Sequence, residues 1–449
     1  MVHTFHCLGK VFLVDVESGS IYEIDALTEK LIRQKISPDT ISEGEFLCYS
    51  AQEIADAKEE LDQLEKAGML YSPEGEHTPA VYKGIVKSMC LNISHLCNLR
   101  CEYCFADGGS YNAKAENMSF EVAKKAIDLL VAKSGTRRNL EVDFFGGEPL
   151  LNFDVVKKTV EYARSLEKEH GKNFRFTITT NAMLLTDDVT EFFNKEMYNV
   201  VVSIDGRKDV HDCVRKTAGG QGSFDVAIKN ALRFKQLRKG QYYIRGTYTA
   251  LNKDFSNDVL YLNDLGFDQL SIEPVVLPEG HKLAIKKEDI PELKKQYDKL
   301  AEAYVERRKG DKWFNFFHFM LDIYNGPCES KRLVGCGAGN DYIAVAPNGN
   351  IYPCHQFDGD QKYVIGNVLD GTFDTTIPTY FAENNLLKKE KCKKCWAKYY
   401  CSGGCAANSY NFHGTITDAY DLGCELQKKR IECAIMIKAA EADMADDAQ

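Results

Sequence analysis

No stretch of roughly 18 consecutive apolar residues occurs in the 449-residue sequence, so no segment reads as a membrane-spanning helix. The opening residues, MVHTFHCLGKVFLVDV, lack the basic flank and continuous apolar stretch of a secretory signal. A cytoplasmic protein is expected. There is also no basic stripe. Lys and Arg number 56 against 66 Asp and Glu, and the net charge is −10, which argues against a nucleic-acid surface. The imbalance is local. Residues 1–80 hold 16 acids against 6 Lys and Arg, so the rest of the chain is close to neutral. An acidic N-terminal module suits a neutral or basic partner, or simply serves solubility.

What is abundant is cysteine. The chain has 16, and a reducing compartment makes disulfides a poor explanation for them. Three fall within Cys97–Cys104 and eight more between Cys328 and Cys424. Metal binding is the natural reading. The length exceeds one ordinary core and predicts two or three domains.

The pattern of elements predicts three regions, 1–80, 84–309 and 310–449. The first shows strand-like runs at His3–Val14 and Ser20–Ile24 joined by a turn, then helical pattern at Ala26–Gln34 and Ala51–Ala67, stopped by Gly68. This order resembles a small winged-helix module. Residues 71–83 read as a linker. From Val86 six strand–helix units follow in register, which predicts a parallel sheet built as a partial barrel or an open doubly wound sheet. In either case the ligand site belongs at the C-terminal ends of the strands. After about Arg308 the alternation ends. That region, rich in glycine and cysteine, is expected to depend more on metal than on an apolar core. A helix is expected from Gly423 to about Ala440, then a disordered tail.

The strongest motif is Cys97-x3-Cys101-x2-Cys104, in the loop after the first strand of the series. Three thiolates can hold three corners of a 4Fe-4S cluster and leave one iron open. Structural zinc would want a fourth ligand, which His95 could supply. The spacing, with Tyr103 before the last cysteine, resembles the radical S-adenosylmethionine (SAM) signature. That resemblance implies further site residues. Gly146-Gly147-Glu148-Pro149 after the second strand would line the SAM amino group, with Glu148 pairing to it; read without the resemblance, it is a Gly-Pro turn. Thr180 and Asn181 end the third strand, and Ser203 and Asp205 end the fourth, near the SAM ribose. Arg215 would pair with the SAM carboxylate, or form a surface salt bridge. Glu273, ending the sixth strand, is a catalytic candidate that could bind SAM or substrate, or cap the core.

The second cysteine group resembles the SPASM extension, which binds two auxiliary 4Fe-4S clusters and brings the expected total to three. By that resemblance Cys392, Cys395, Cys401 and Cys424 hold one cluster. Cys336, Cys354 and Cys405 hold the other, with Cys328 as a candidate fourth ligand or an open iron in its place. Zinc ribbons are the competing reading. Cys7, Cys48, Cys90, Cys213 and Cys433 fit no cluster and read as small buried hydrophobes.

The chain as a whole resembles radical SAM maturases of Cys-rich ribosomal peptides, in particular the SCIFF thioether synthases. This implies a precursor whose leader adds as an edge strand to the N-terminal module. It also implies an electron donor such as flavodoxin or ferredoxin, and links from cysteine sulfur to carbon. Conversion of Ser or Cys to formylglycine, as in sulfatase maturases, is the second enzymatic reading. A zinc-stabilised peptide-binding protein is the non-catalytic one.

Overall fold

The computed structural model describes residues 1–77, 81–323 and 329–446. Cys328 lies outside the described residues, as does part of the expected linker.

The N-terminal region opens with three antiparallel strands, β1 (Val2–Cys7), β2 (Lys10–Asp15) and β3 (Ile21–Ile24), paired in that order. The run His3–Val14, expected as one strand, is instead a hairpin. Leu8 and Gly9 both take positive φ (48° and 81°), the conformation a two-residue turn needs to match strand twist. Helices α1 (Ala26–Ile36) and α2 (Ala51–Lys66) follow. Asp25 and Ser50 cap them, accepting from the Thr28 and Glu53 N–H groups. Three strands followed by two helices is the observed order.

This unit does not hang on a free linker. His3 stacks on Trp396 with ring centroids 4.1 Å apart, and Lys398 Nζ lies 2.6 Å from Glu17 Oε1 in a buried ion pair. The module is therefore docked on the Cys392–Cys401 segment. Breaking such a pair from one side would leave a buried charge uncompensated.

The centre of the molecule is a parallel sheet of β4 (Ser88–Ser94), β6 (Asn139–Gly146), β7 (Asn173–Thr180), β8 (Met197–Ser203), β10 (Gln241–Tyr248) and β11 (Gln269–Pro274). They neighbour one another in chain order. A doubly wound sheet reverses its order at a switch point; this one does not, so it is a barrel left open. The intervening β5 (Leu99–Cys101) and β9 (Arg215–Thr217) form a separate two-stranded ribbon. Helices α3 (Phe120–Lys133), α4 (Phe153–His170), α5 (Asp187–Glu196), α6 (Lys208–Val214), α7 (Phe224–Leu237), α8 (Phe255–Asp264) and α9 (Ile290–Arg308) connect the strands.

The C-terminal region departs from expectation, because it shares the sheet. Strand β12 (Asn315–Phe316) pairs with β11 at one edge, and β13 (Tyr342–Val345) pairs in parallel with β4 at the other. Strands β14 (Asn350–Tyr352), β15 (Gly366–Asn367) and β16 (Thr372–Phe373) continue that edge. Leu386, Trp396, Leu426 and Ile435 join the main apolar core, so metal is not the region's only support. The final helix runs Asp421–Asp446, and most of the tail expected to be disordered is helical. Lys10 anchors its end at 2.7 Å from Asp443.

Candidate active site

The loops at the C-terminal ends of the parallel strands surround a cavity of about 540 Å³. Cys97, Cys101 and Cys104 line it, with Gly146 and Gly147 after β6, Thr180 and Asn181 after β7, and Ser203 after β8. Tyr103, Arg215 and Glu273 line it as well. Glu148 and Asp205 stand behind the wall and hold it.

The wall is set by close backbone approach. A Cβ on Gly146 would lie 2.4 Å from the Ser94 carbonyl oxygen, and one on Gly147 2.3 Å from that of Leu96. Only glycine lets this loop press against the cysteine loop. Glu148 then ties the loop to β7. Its carboxylate accepts from the Leu150 N–H (3.0 Å), the Thr180 hydroxyl (2.9 Å) and the Asn181 N–H (2.8 Å). Burial pushes its carboxyl up to about 7, against the pull of those donors. With both oxygens engaged and the side chain fully buried, its carboxylate is a strut and not a surface of the cavity.

Asp205 plays the same part on the opposite side. It accepts from the Tyr103 hydroxyl (2.7 Å) and the Thr247 N–H (3.0 Å), and lies 3.0 Å from Arg215 Nε. Burial opposes the Arg215 charge, but Asp205 together with Tyr103 and Cys101 raises the guanidinium well above its usual value and keeps it protonated. His211 locks this corner. Ser223 donates its hydroxyl to the Arg215 carbonyl, so it accepts from His211 Nε2–H, leaving Nδ1 to accept from the Asp205 N–H. Burial lowers the imidazole to about 4, and it stays neutral.

The thiols gather in three sets, within electrostatic range of one another. Cys97, Cys101 and Cys104 form one. Cys392, Cys395, Cys401 and Cys424 form a second. Cys336, Cys354 and Cys405 form a third. Burial pushes Cys97 and Cys401 up to about 11, and Cys101 and Cys424 up to about 12. Thiols held this way stay protonated unless a cation takes the proton's place. Sulfurs around one tetrahedral zinc sit about 3.8 Å apart. Among the described residues, none of these sets brings three ligand atoms mutually within 4.8 Å. The Nε2 of His95 lies 2.8 Å from Asp358 Oδ2, and both are buried. The Leu99 and Gln356 N–H groups point at the Cys97 and Cys354 sulfurs at 3.4 and 3.3 Å, polarity that stabilises thiolate.

On the far side of the cavity Glu273 is joined by Arg245 and Arg430, which sequence reasoning does not pick out. Arg245 Nη2 donates to Glu273 Oε2 at 2.7 Å. Burial would raise the Glu273 carboxyl, but Arg245, with His318 and Arg430 beyond it, holds it down at about 2. Arg430, on the final helix, donates from Nε to the Tyr297 hydroxyl (2.8 Å), and its buried Nη2 has no hydrogen-bond partner among the described residues. Arg245 lies within β10, in register with Ser271 of β11, and no motif in the sequence marks it. Nothing local marks Arg430.

Residues 91–254 match the radical SAM superfamily, and residues 336–396 match the iron–sulfur cluster-binding SPASM domain. The chain thus carries a radical SAM domain joined to a SPASM domain, and SAM and iron–sulfur clusters are the cofactors these imply. It is 26% identical over 355 residues to the cysteine-type anaerobic sulfatase-maturating enzyme of Clostridium novyi, covering 75% of this chain and 91% of that one. It is 27% identical over 368 residues to the mycofactocin maturase MftC of Mycolicibacterium smegmatis, covering 78% and 88%. The structure of native anSMEcpe with bound AdoMet superposes with a TM-score of 0.66 at 23% identity, over 79% of this chain and 99% of that one. Streptococcus suis SuiB bound to S-adenosylmethionine gives 0.53 at 19%, over 94% and 98%. The shared feature is the fold. No helix among the described residues is long and apolar enough to cross a membrane.

Proposed function

We propose that this chain is a radical SAM enzyme that joins cysteine sulfur to carbon in a Cys-rich precursor peptide. The observation that carries the reading is the shared cavity: Cys97, Cys101 and Cys104 line the same space as Cys405. Bound at the first set, a 4Fe-4S cluster with SAM supplies one-electron reductive cleavage to a radical that abstracts hydrogen. The chain's own residues bind and aim. Gly146 and Gly147 offer backbone carbonyls to the SAM amine, Arg215 takes its carboxylate, and Tyr103, Thr180, Asn181 and Ser203 close the remaining wall. Cys336, Cys354 and Cys405 would hold a second cluster with a place for a substrate thiolate. Cys392, Cys395, Cys401 and Cys424 would hold a third. Residues 1–80 would take the leader along β3, which among the described residues pairs with β2 alone.

Relatives named as sulfatase maturases favour a second reading, oxidation of Ser or Cys to formylglycine. In this chain the cavity carboxylate is held by Arg245, which makes Glu273 a poor base. The deciding experiment is anaerobic incubation with SAM, reductant and the Cys-rich peptide, followed by fragmentation mass spectrometry. Loss of two hydrogens per crosslink is expected. An aldehyde trapped by a hydrazide would select the second reading, and unchanged peptide mass would reject both.

A further inference from the structure

Two cysteines outside the cluster sets meet beneath the N-terminal hairpin. Cys7 ends β1, and Cys433 lies in the final helix; both thiols are buried. They converge on one carboxylate from α9. The Cys7 and Cys433 sulfurs lie 3.6 and 3.9 Å from Asp298 Oδ1. Cysteines that merely fill space need no such focus. Among the described residues, this is the only trio of His, Cys, Asp or Glu ligand atoms mutually within 4.8 Å.

The dimensions fit an ion. A tetrahedral zinc with sulfur at about 2.3 Å and oxygen at about 2.1 Å has sulfur–oxygen edges of about 3.6 Å. The charges fit too. Lys429 Nζ lies 2.5 Å from Asp298 Oδ1 and 3.7 Å from Glu432 Oε2. Two thiolates, one carboxylate, a divalent ion and this ammonium sum to zero. Lys429 can lean on Glu432, or on the carboxylate's other oxygen, as Oδ1 turns to the ion. Asp298 is half-buried, which gives the ion a way in.

We propose that Cys7, Cys433 and Asp298 bind one thiophilic divalent cation, zinc, with water at the fourth position. The ion replaces two thiol protons and no electron moves. Each ligand comes from a different region, so the ion would pin the N-terminal hairpin to α9 and the final helix, apart from the cavity.

The test uses the anaerobically purified, iron-loaded protein, given one equivalent of zinc and desalted. About one zinc per chain should be retained with iron content unchanged. Zinc-edge X-ray absorption should show two sulfurs at about 2.3 Å with oxygen or nitrogen completing the shell. Cys7→Ser/Cys433→Ser should retain no zinc at the same iron content. If that variant folds poorly, the spectrum of the unaltered protein still decides. Failure to retain zinc, or a shell of three or four sulfurs, which would place zinc among the cluster cysteines, overturns the proposal.

Discussion

Cys101 and Arg215 face each other across the ribbon formed by β5 and β9. The cysteine loop is therefore paired with the strand that carries Arg215. Arg215→Ala should leave Asp205 as a buried carboxylate without its counter-ion, at a cost of about 3–5 kcal/mol. Anaerobic thermal denaturation measures the loss. Arg215→Lys should fold better yet bind SAM about tenfold or more weakly, as ultrafiltration with labelled SAM would show.

Gly147→Ala should be more damaging than its size suggests. The added methyl meets a backbone oxygen, which cannot swing aside. Iron at the first cysteine set and deoxyadenosine release should both fall to near background, while the other sets keep their iron.

His211 gives the fold an acid-sensitive corner. It is neutral in the folded protein, with its imidazole lowered to about 4. The unfolded chain takes up a proton first, near pH 6.5, so stability falls as pH drops from there toward 4. At pH 5.5 the loss from this group should be about 1 kcal/mol. His211→Asn should flatten that slope in denaturant titrations at pH 7 and 5.5.

Glu273→Gln separates the two catalytic readings. If Glu273 is a base, peptide oxidation should collapse about 100-fold or more. With the carboxylate held by Arg245, the expected outcome is milder: deoxyadenosine release persists and peptide KM rises.

Cys401→Ser and Cys405→Ser should each remove about one cluster's iron and spare the rest. Loss of iron from both sets in either variant would show that the two thiol groups do not act as separate sites.

Much of this arrangement is readable from residue order. The six parallel strands announce themselves as apolar runs, and their ends deliver Gly146, Thr180 and Ser203 to one rim. The hairpin at Leu8–Gly9 is missed because apolar periodicity continues through the turn; only a glycine flanked by strand formers hints at it. Glu148 looks like a ligand in the sequence, yet three local donors turn it inward, a matter of geometry that spacing cannot encode. Arg430 reaches the cavity from a helix that begins some 150 residues after Glu273, so only tertiary packing reveals it.

The ladder between β4 and β13 joins the two cysteine-bearing regions rung to rung. Neighbouring strands in a sheet keep a pitch of about 4.8 Å. The separation between the first and the later cysteine loops is thus graduated by backbone hydrogen bonds. Moving one loop away from the other would mean unzipping a buried β-ladder, so the distance between them is a constant of the scaffold.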